Sequence, residues 1–60
     1  MIPEKDYPMY EAMKKYGGGF VQGLADLLQV ADHENYAKLE KTFKEYFDRY
    51  RDIAIKSKLF

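Results

Sequence analysis

The strongest pattern in the chain is a stripe of large apolar side chains in its second half, spaced alternately three and four residues apart. Such spacing places side chains on one face of an α-helix. On the opposite face, four acidic residues each precede a base by four positions, an order worth about 0.2–0.5 kcal/mol per pair. The pattern predicts a helix from about 33 to 56, capped by Asp32, that can bend near Thr42–Glu45. The stripe comprises Tyr36, Leu39, Phe43, Tyr46, Tyr50, Ile53 and Phe60, and the pairs are Glu34–Lys38, Glu40–Lys44, Glu45–Arg49 and Asp52–Lys56.

Two shorter apolar stripes precede this segment. The first, over Met9–Tyr16, predicts a helix of two to three turns that Asp6 can cap, with Pro8 near its first turn. The second predicts a helix over 19–31, and its leucines at 24, 27 and 28 are typical of a mostly buried helix.

Three consecutive glycines, Gly17–Gly19, lie between these stripes. They lower helix propensity by roughly 2–3 kcal/mol relative to alanine. We expect a helix stop in which one glycine adopts a positive φ. The alternative is a single helix over 6–31, because the apolar stripe stays in phase across the glycines.

These elements predict an all-α fold, a compact three-helix hairpin or bundle whose last helix is the longest. Residues 1–8 are expected to form an extended lead-in, 9–56 a single helical domain and 57–60 a frayed tail. A chain of 60 residues buries only about 60% of its unfolded surface. Self-association, with a dimer as the expected form, is therefore a plausible source of additional stability.

The composition argues against a catalytic site, a disulfide or a metal site in this chain. There is no cysteine, and His33 is the single histidine, so disulfides, thiolate sites and structural zinc are excluded or disfavoured. The hydroxyls of Thr42 and Ser57 have no base nearby in sequence, and a chain this short can scarcely enclose a pocket of about 300 Å³. We therefore expect no catalytic residue, no metal and no cofactor, and interpret the protein as a non-enzyme.

Charge and hydropathy narrow the set of partners. Ten basic residues balance ten acidic ones, so no net field attracts nucleic acid or a membrane. The longest mostly apolar stretch, 17–31, is shorter than the roughly 20 residues a membrane span requires. With no signal peptide visible after Met1, a cytoplasmic location is expected. The alternative function is that of a nucleic-acid-associated regulator that uses the basic side of the last helix. The basic residues there alternate with acidic ones. They are Lys38, Lys41, Lys44, Arg49 and Arg51.

Aromatic residues make up 17% of the chain, including six tyrosines. Tyrosine suits both a core rim and an interface, because its ring packs while its hydroxyl stays hydrated. The candidate partner-binding residues are Tyr7, Tyr10, Tyr16 and Tyr46, which the core needs least. Gly19 and Gly23 also form a small-xxx-small pair that permits close approach of another backbone or ring, and the alternative is that both glycines are merely loop-like. The function expected is therefore protein–protein interaction.

The run GGGFVQGLADLL at 17–28, followed by ADHEN at 31–35 and by Leu39, Phe43, Tyr46 and Tyr50, resembles short helical proteins encoded by phages and prophages. The resemblance covers roughly residues 9–54 and implies no catalytic residue. In such proteins a proline often follows the phenylalanine, whereas Lys44 stands here. The resemblance implies a phage accessory protein that binds and modulates a host or phage protein, such as a bacterial defence component, or a structural part of the particle.

Overall fold

A computed structural model describes residues 2–57, and every regular element in that range is helical. A single 3-10 turn, Glu4–Asp6, leads into α1 (Tyr7–Tyr16), which is followed by α2 (Gly19–Val30), α3 (His33–Thr42) and α4 (Lys44–Lys56). The all-α prediction is confirmed, but the described chain has four helices rather than three. Residues 58–60 of the predicted frayed tail lie outside the described range.

The additional helix arises because the predicted last helix divides at Phe43, inside the region where a bend was expected. Phe43 has φ −110° and ψ 38°, outside the α-helical region. Its N–H still donates to the Leu39 carbonyl at 2.8 Å, and its own carbonyl accepts from the Phe47 N–H at 3.1 Å. The break is therefore a kink of one residue, and it forms with Lys44 rather than proline in the next position. Asp32 caps α3 as predicted, its carboxylate accepting the Asn35 N–H at 2.8 Å.

The kink changes the ion pairs expected on the polar face. Glu34–Lys38 and Asp52–Lys56, which lie on either side of it, form at 3.7 and 3.1 Å. The predicted Glu40–Lys44 pair spans the kink and is wrong. Glu40 instead binds Arg51 at 2.6 Å, and Lys44 binds Asp48 at 2.6 Å. Within residues 2–57, no ion pair joins Glu45 to Arg49 either.

The glycines end α1 at Tyr16, so the single helix over 6–31 is wrong. The positive φ expected of a glycine is also wrong for Gly17 and Gly18, since both have φ −77°. The requirement at Gly17 is steric instead. A Cβ there would lie 2.5 Å from the Met13 carbonyl oxygen and 2.5 Å from Cγ1 of Val21. Gly17 therefore lets the start of α2 fold closely against the end of α1.

The core is organised around α1. This helix packs chiefly against α4 and also against α2, while α3 packs on α4. The apolar sides of α2 and α4 both pack onto α1, and α2 also meets the kink region through the Phe20 ring, which packs against Phe43. The most deeply buried side chains come from α1, α2 and α4, and they are Met9, Ala12, Met13, Ala25, Leu28 and Phe47.

Asp6 connects the start of the chain to α3 and α4. It occupies the N-cap position of α1, but its carboxylate makes no cap hydrogen bond. The buried carboxylate accepts hydrogen bonds from Tyr36 Oη at 2.7 Å and from Arg51 Nε and Nη2 at 3.0 Å each. The lead-in is thus a packed turn rather than the extended segment expected, and Ile2 is buried with it.

Burial would raise the pKa of the Asp6 carboxyl, but the hydrogen bonds from Arg51 and Tyr36 outweigh it and hold that pKa below its ordinary value of 3.8. Burial and the bond to Asp6 raise the pKa of the Tyr36 hydroxyl. The Arg51 guanidinium also bonds Glu40 and lies 5.3 Å from the centre of the Phe47 ring. The network is closed, because each of its groups has a partner inside the fold.

Candidate interaction surface

Large apolar side chains remain exposed along one side of α2. Phe20, Leu27 and Val30 are 61%, 48% and 78% exposed. At 3.6 residues per turn, they share an arc of roughly 100° with Gly19 and Gly23. We call the surface formed by Gly19, Phe20, Gly23, Leu27 and Val30 the α2 face. Because the other side of the helix packs in the core, α2 is apolar on two sides, and the prediction of a mostly buried helix is wrong.

The two glycines form an open notch in the α2 face. A Cβ built at Gly19 or Gly23 would meet no heavy atom within 4 Å, in contrast to the crowded Gly17. The notch opens into a shallow groove of about 290 Å³ whose walls include Phe20, Leu27 and Phe43. No part of the described chain, residues 2–57, fills this space.

Phe20 is exposed, yet its ring is held by other aromatic rings. Its centroid lies 5.9 Å from that of Phe43, edge-to-face at 64°, and 5.5 Å from that of Tyr46. Phe43 and Tyr46 are themselves 6.2 Å apart. A side chain that is already held in place loses little conformational freedom on binding. The cluster therefore presents Phe20 as a pre-positioned contact.

A second groove lies beyond Leu27, towards the C-terminal end of α2. Its volume is about 280 Å³, and Val30 and Leu39 contribute apolar walls. Asn35 and Lys38 supply its polar rim. Leu27 lines both grooves and is thus the central ridge of the exposed surface.

The α2 face carries no charge. The one ionisable residue of α2, Asp26, binds Lys14 of α1 at 2.7 Å. The hydrogen bond that the Lys14 ammonium donates to the Asp26 carboxylate raises the pKa of Lys14. The negative charge next to the face is thereby compensated within the chain.

The four predicted tyrosines are distributed over separate parts of the molecule. Tyr46 lies beside the α2 face in contact with Phe20. Tyr7 and Tyr10 line a different cleft, where Tyr10 Oη donates to Gln29 Oε1 at 3.3 Å. Tyr16 is half exposed at the end of α1, with the Lys15 ammonium 5.4 Å from its ring centre. Whether these residues bind a partner stays a prediction.

Sequence reasoning did not identify Phe20, Leu27 and Val30 as surface residues, because it interpreted 19–31 as a mostly buried helix. The signal was present in the width of that stripe. Val21, Leu24 and Leu28 alone suffice to cover one side of the helix, and all three are buried. Three further large apolar residues exceed what one buried side accommodates.

Groups capable of chemistry are dispersed or already paired. Among residues 2–57, no cluster of three or more His, Cys, Asp or Glu side chains is placed to hold a metal ion. A cleft of about 340 Å³ is bordered by Asp6 and Arg51, which bind each other. His33 is exposed at the first residue of α3. The described helices are also all too short or too polar to span a membrane.

Of the five basic residues proposed to contact nucleic acid, three already bind acidic side chains. Lys38 pairs with Glu34, Lys44 with Asp48 and Arg51 with both Asp6 and Glu40. Phosphates approaching this side would therefore meet both signs of charge.

Comparison of the chain with protein-family models, with curated proteins and with solved structures finds no match.

Proposed function

We propose that this protein is a non-catalytic helical interaction module that binds a different protein through the α2 face. The observation that supports the proposal is the exposure of Phe20, Leu27 and Val30 beside an unfilled glycine notch. A contiguous exposed apolar patch is typical of an interaction site on a small protein. The cleft beside Asp6 and Arg51 and the basic residues of α3 and α4 are weaker candidates for a binding site, because many of their charged groups already bind each other within the chain.

The shape of the face suits a helix from the partner. Amphipathic helices bind by placing apolar side chains into grooves at one-turn spacing. Here two grooves flank Leu27, and the pre-positioned Phe20 ring can act as an aromatic anchor of the kind enriched at binding hot spots. The absence of charge on the face favours an apolar contact surface on the partner.

The biological role that we propose is that of a phage-encoded accessory protein acting on a host or phage protein. The resemblance of residues 9–54 to short phage and prophage proteins supports this part of the proposal. A component of a bacterial defence system is one partner consistent with it.

The proposal is tested by affinity capture from bacterial lysate with matched surface variants, read by quantitative mass spectrometry. Val30→Glu places a charge at the most exposed position of the α2 face, where Val30 is 78% exposed. Ile55→Glu makes an equivalent change on α4, at a side chain that is 61% exposed. A protein retained by the wild type and by Ile55→Glu, but lost with Val30→Glu, is the expected result.

Circular dichroism of both variants provides the folding control. Since both positions are exposed, both variants should keep the helical spectrum of the wild type. Identical sets of captured proteins for all three forms, or no enriched protein with any of them, would contradict the proposal.

A further inference from the structure

The α2 face is complementary to itself. We infer that it docks against the α2 face of a second copy of this chain, with the two helices antiparallel and related by a two-fold axis that passes beside Gly23. This inference goes beyond the proposed function, because it gives the same surface a second occupant. Three properties of the face support it, namely the residue spacing, the open notch and the charge, while the available area limits the strength of the dimer.

The spacing places a projection and a recess at equal distances from Gly23. Gly19 lies four residues before it and Leu27 four residues after it, each displaced by about 6 Å along the helix. Antiparallel packing about Gly23 therefore sets Leu27 of each copy over Gly19 of the other. In a two-fold interface each such contact occurs twice, which is the self-complementarity that this symmetry requires.

The notch provides room for that contact. Because a Cβ at Gly19 or Gly23 would find only open space, another helix can approach the α2 backbone closely. The groove of about 290 Å³ beside the notch, bordered by Phe20 and Phe43, can accept the incoming leucine side chain.

The absence of charge on the α2 face favours a second copy of this chain over a charged partner. A two-fold axis brings residues close to it against their own equivalents, so a charged central residue would repel itself. The central residue here is glycine, and the α2 face is uncharged. The two Asp26 side chains would be displaced by about 9 Å from each other along the helix axis, and each already binds its own Lys14. An acidic or basic peptide would find no complementary charge on this face.

The available area determines the strength of the dimer. Stable interfaces bury about 800 Å² per partner, or about a fifth of the 4232 Å² exposed by the described chain. If each of the three large side chains offers roughly 100 Å², about half of what a whole aromatic residue can bury, the face supplies roughly 300 Å² before its flanks are counted. The dimer is therefore weak and depends on concentration, which lets another protein replace the second copy.

Sedimentation of the purified protein tests the inference. Between about 5 μM and about 1 mM, the range of weak association, the weight-average mass should rise from 7.1 kDa towards twice that value. Gly23→Gln should weaken association at least about tenfold, because its side chain occupies the crossing point. Ile55→Glu, outside the face, should associate like the wild type.

Gly23→Gln also separates dimerisation from folding. Glutamine has a higher helix propensity than glycine, and its Cβ meets nothing in the monomer, so the melting temperature should stay equal or rise while association falls. A strict monomer at about 1 mM overturns the inference, as does undiminished association of Gly23→Gln. A monomer that still captures a Val30-dependent protein refutes the dimer alone, whereas a dimer with no such capture refutes the proposed function alone.

Discussion

The buried Asp6 network allows a quantitative test of how the turn before α1 is held to α3 and α4. Asp6→Asn preserves the shape of the side chain but removes its charge. It also replaces one acceptor oxygen with an NH₂ group that faces the donors of Tyr36 or Arg51. We therefore expect a large loss of stability from a nearly isosteric change.

The magnitude follows from the surroundings of the carboxylate. Removing one partner of a buried ion pair costs about 3–5 kcal/mol. The Arg51 side chain is 31% exposed and keeps its bond to Glu40, so solvent and the second carboxylate lower this cost to about 2–3 kcal/mol. A 60-residue domain has a total stability of about 3–9 kcal/mol, so the substitution removes a substantial share of it.

The assay is thermal unfolding followed by circular dichroism, with Asp48→Asn as the matched control. At about 4–8 °C per kcal/mol for a domain of this size, Asp6→Asn should lower the melting temperature by about 10–20 °C. Asp48 makes only an exposed i,i+4 pair with Lys44, worth about 0.2–0.5 kcal/mol, so its variant should melt within about 4 °C of the wild type. Equal melting temperatures for the two variants would refute the reasoning.

Three further predictions concern the same fold. Because the pKa of Asp6 in the folded state is below 3.8, its stabilising contribution is complete above about pH 5 and is lost as pH falls through the folded pKa. The difference in melting temperature between wild type and Asp6→Asn should therefore shrink below about pH 4, and a constant difference would contradict this account. Gly17→Ala should lose about 1–3 kcal/mol in urea unfolding, because its Cβ collides with Met13 and Val21. Gly18→Ala, in open space, should gain about 0.4–1 kcal/mol, and equal effects at the two glycines would rule out the steric explanation. Phe47→Ala should cost about 3–5 kcal/mol, since Phe47 is fully buried, and a variant that retains the wild-type melting curve would show that the core is misassigned.

Local patterns in the sequence were sufficient to predict the elements that depend on neighbouring residues. Asp32 caps α3 through the Asn35 N–H, and the glycines end α1, because both effects act within a few positions. The division at Phe43 was foreseen only as a bend. Apolar spacing of three and four residues is similar in a continuous helix and in one with a kink of a single residue, and the Phe20 ring that packs against Phe43 comes from a distant part of the chain.

The features that the sequence did not reveal depend on contacts between distant residues. Asp6 has the same local pattern whether it caps α1 or binds Arg51, which is 45 positions away. Likewise, when two sides of a helix are apolar, composition does not indicate which side faces the core. The α2 face was therefore inseparable from the buried stripe until α1 was seen to occupy the other side.

The packing of α1 against α4 has a consequence for the order in which the fold forms. Helical proteins usually fold fast because most of their contacts are local, yet here the first and last helices make the principal contact. Because α4 follows α1 in the chain, its residues are synthesised later, and the apolar side of α1 stays exposed in the nascent chain until α4 emerges from the ribosome. Completion of the core therefore waits for α4, which brings its apolar side to α1.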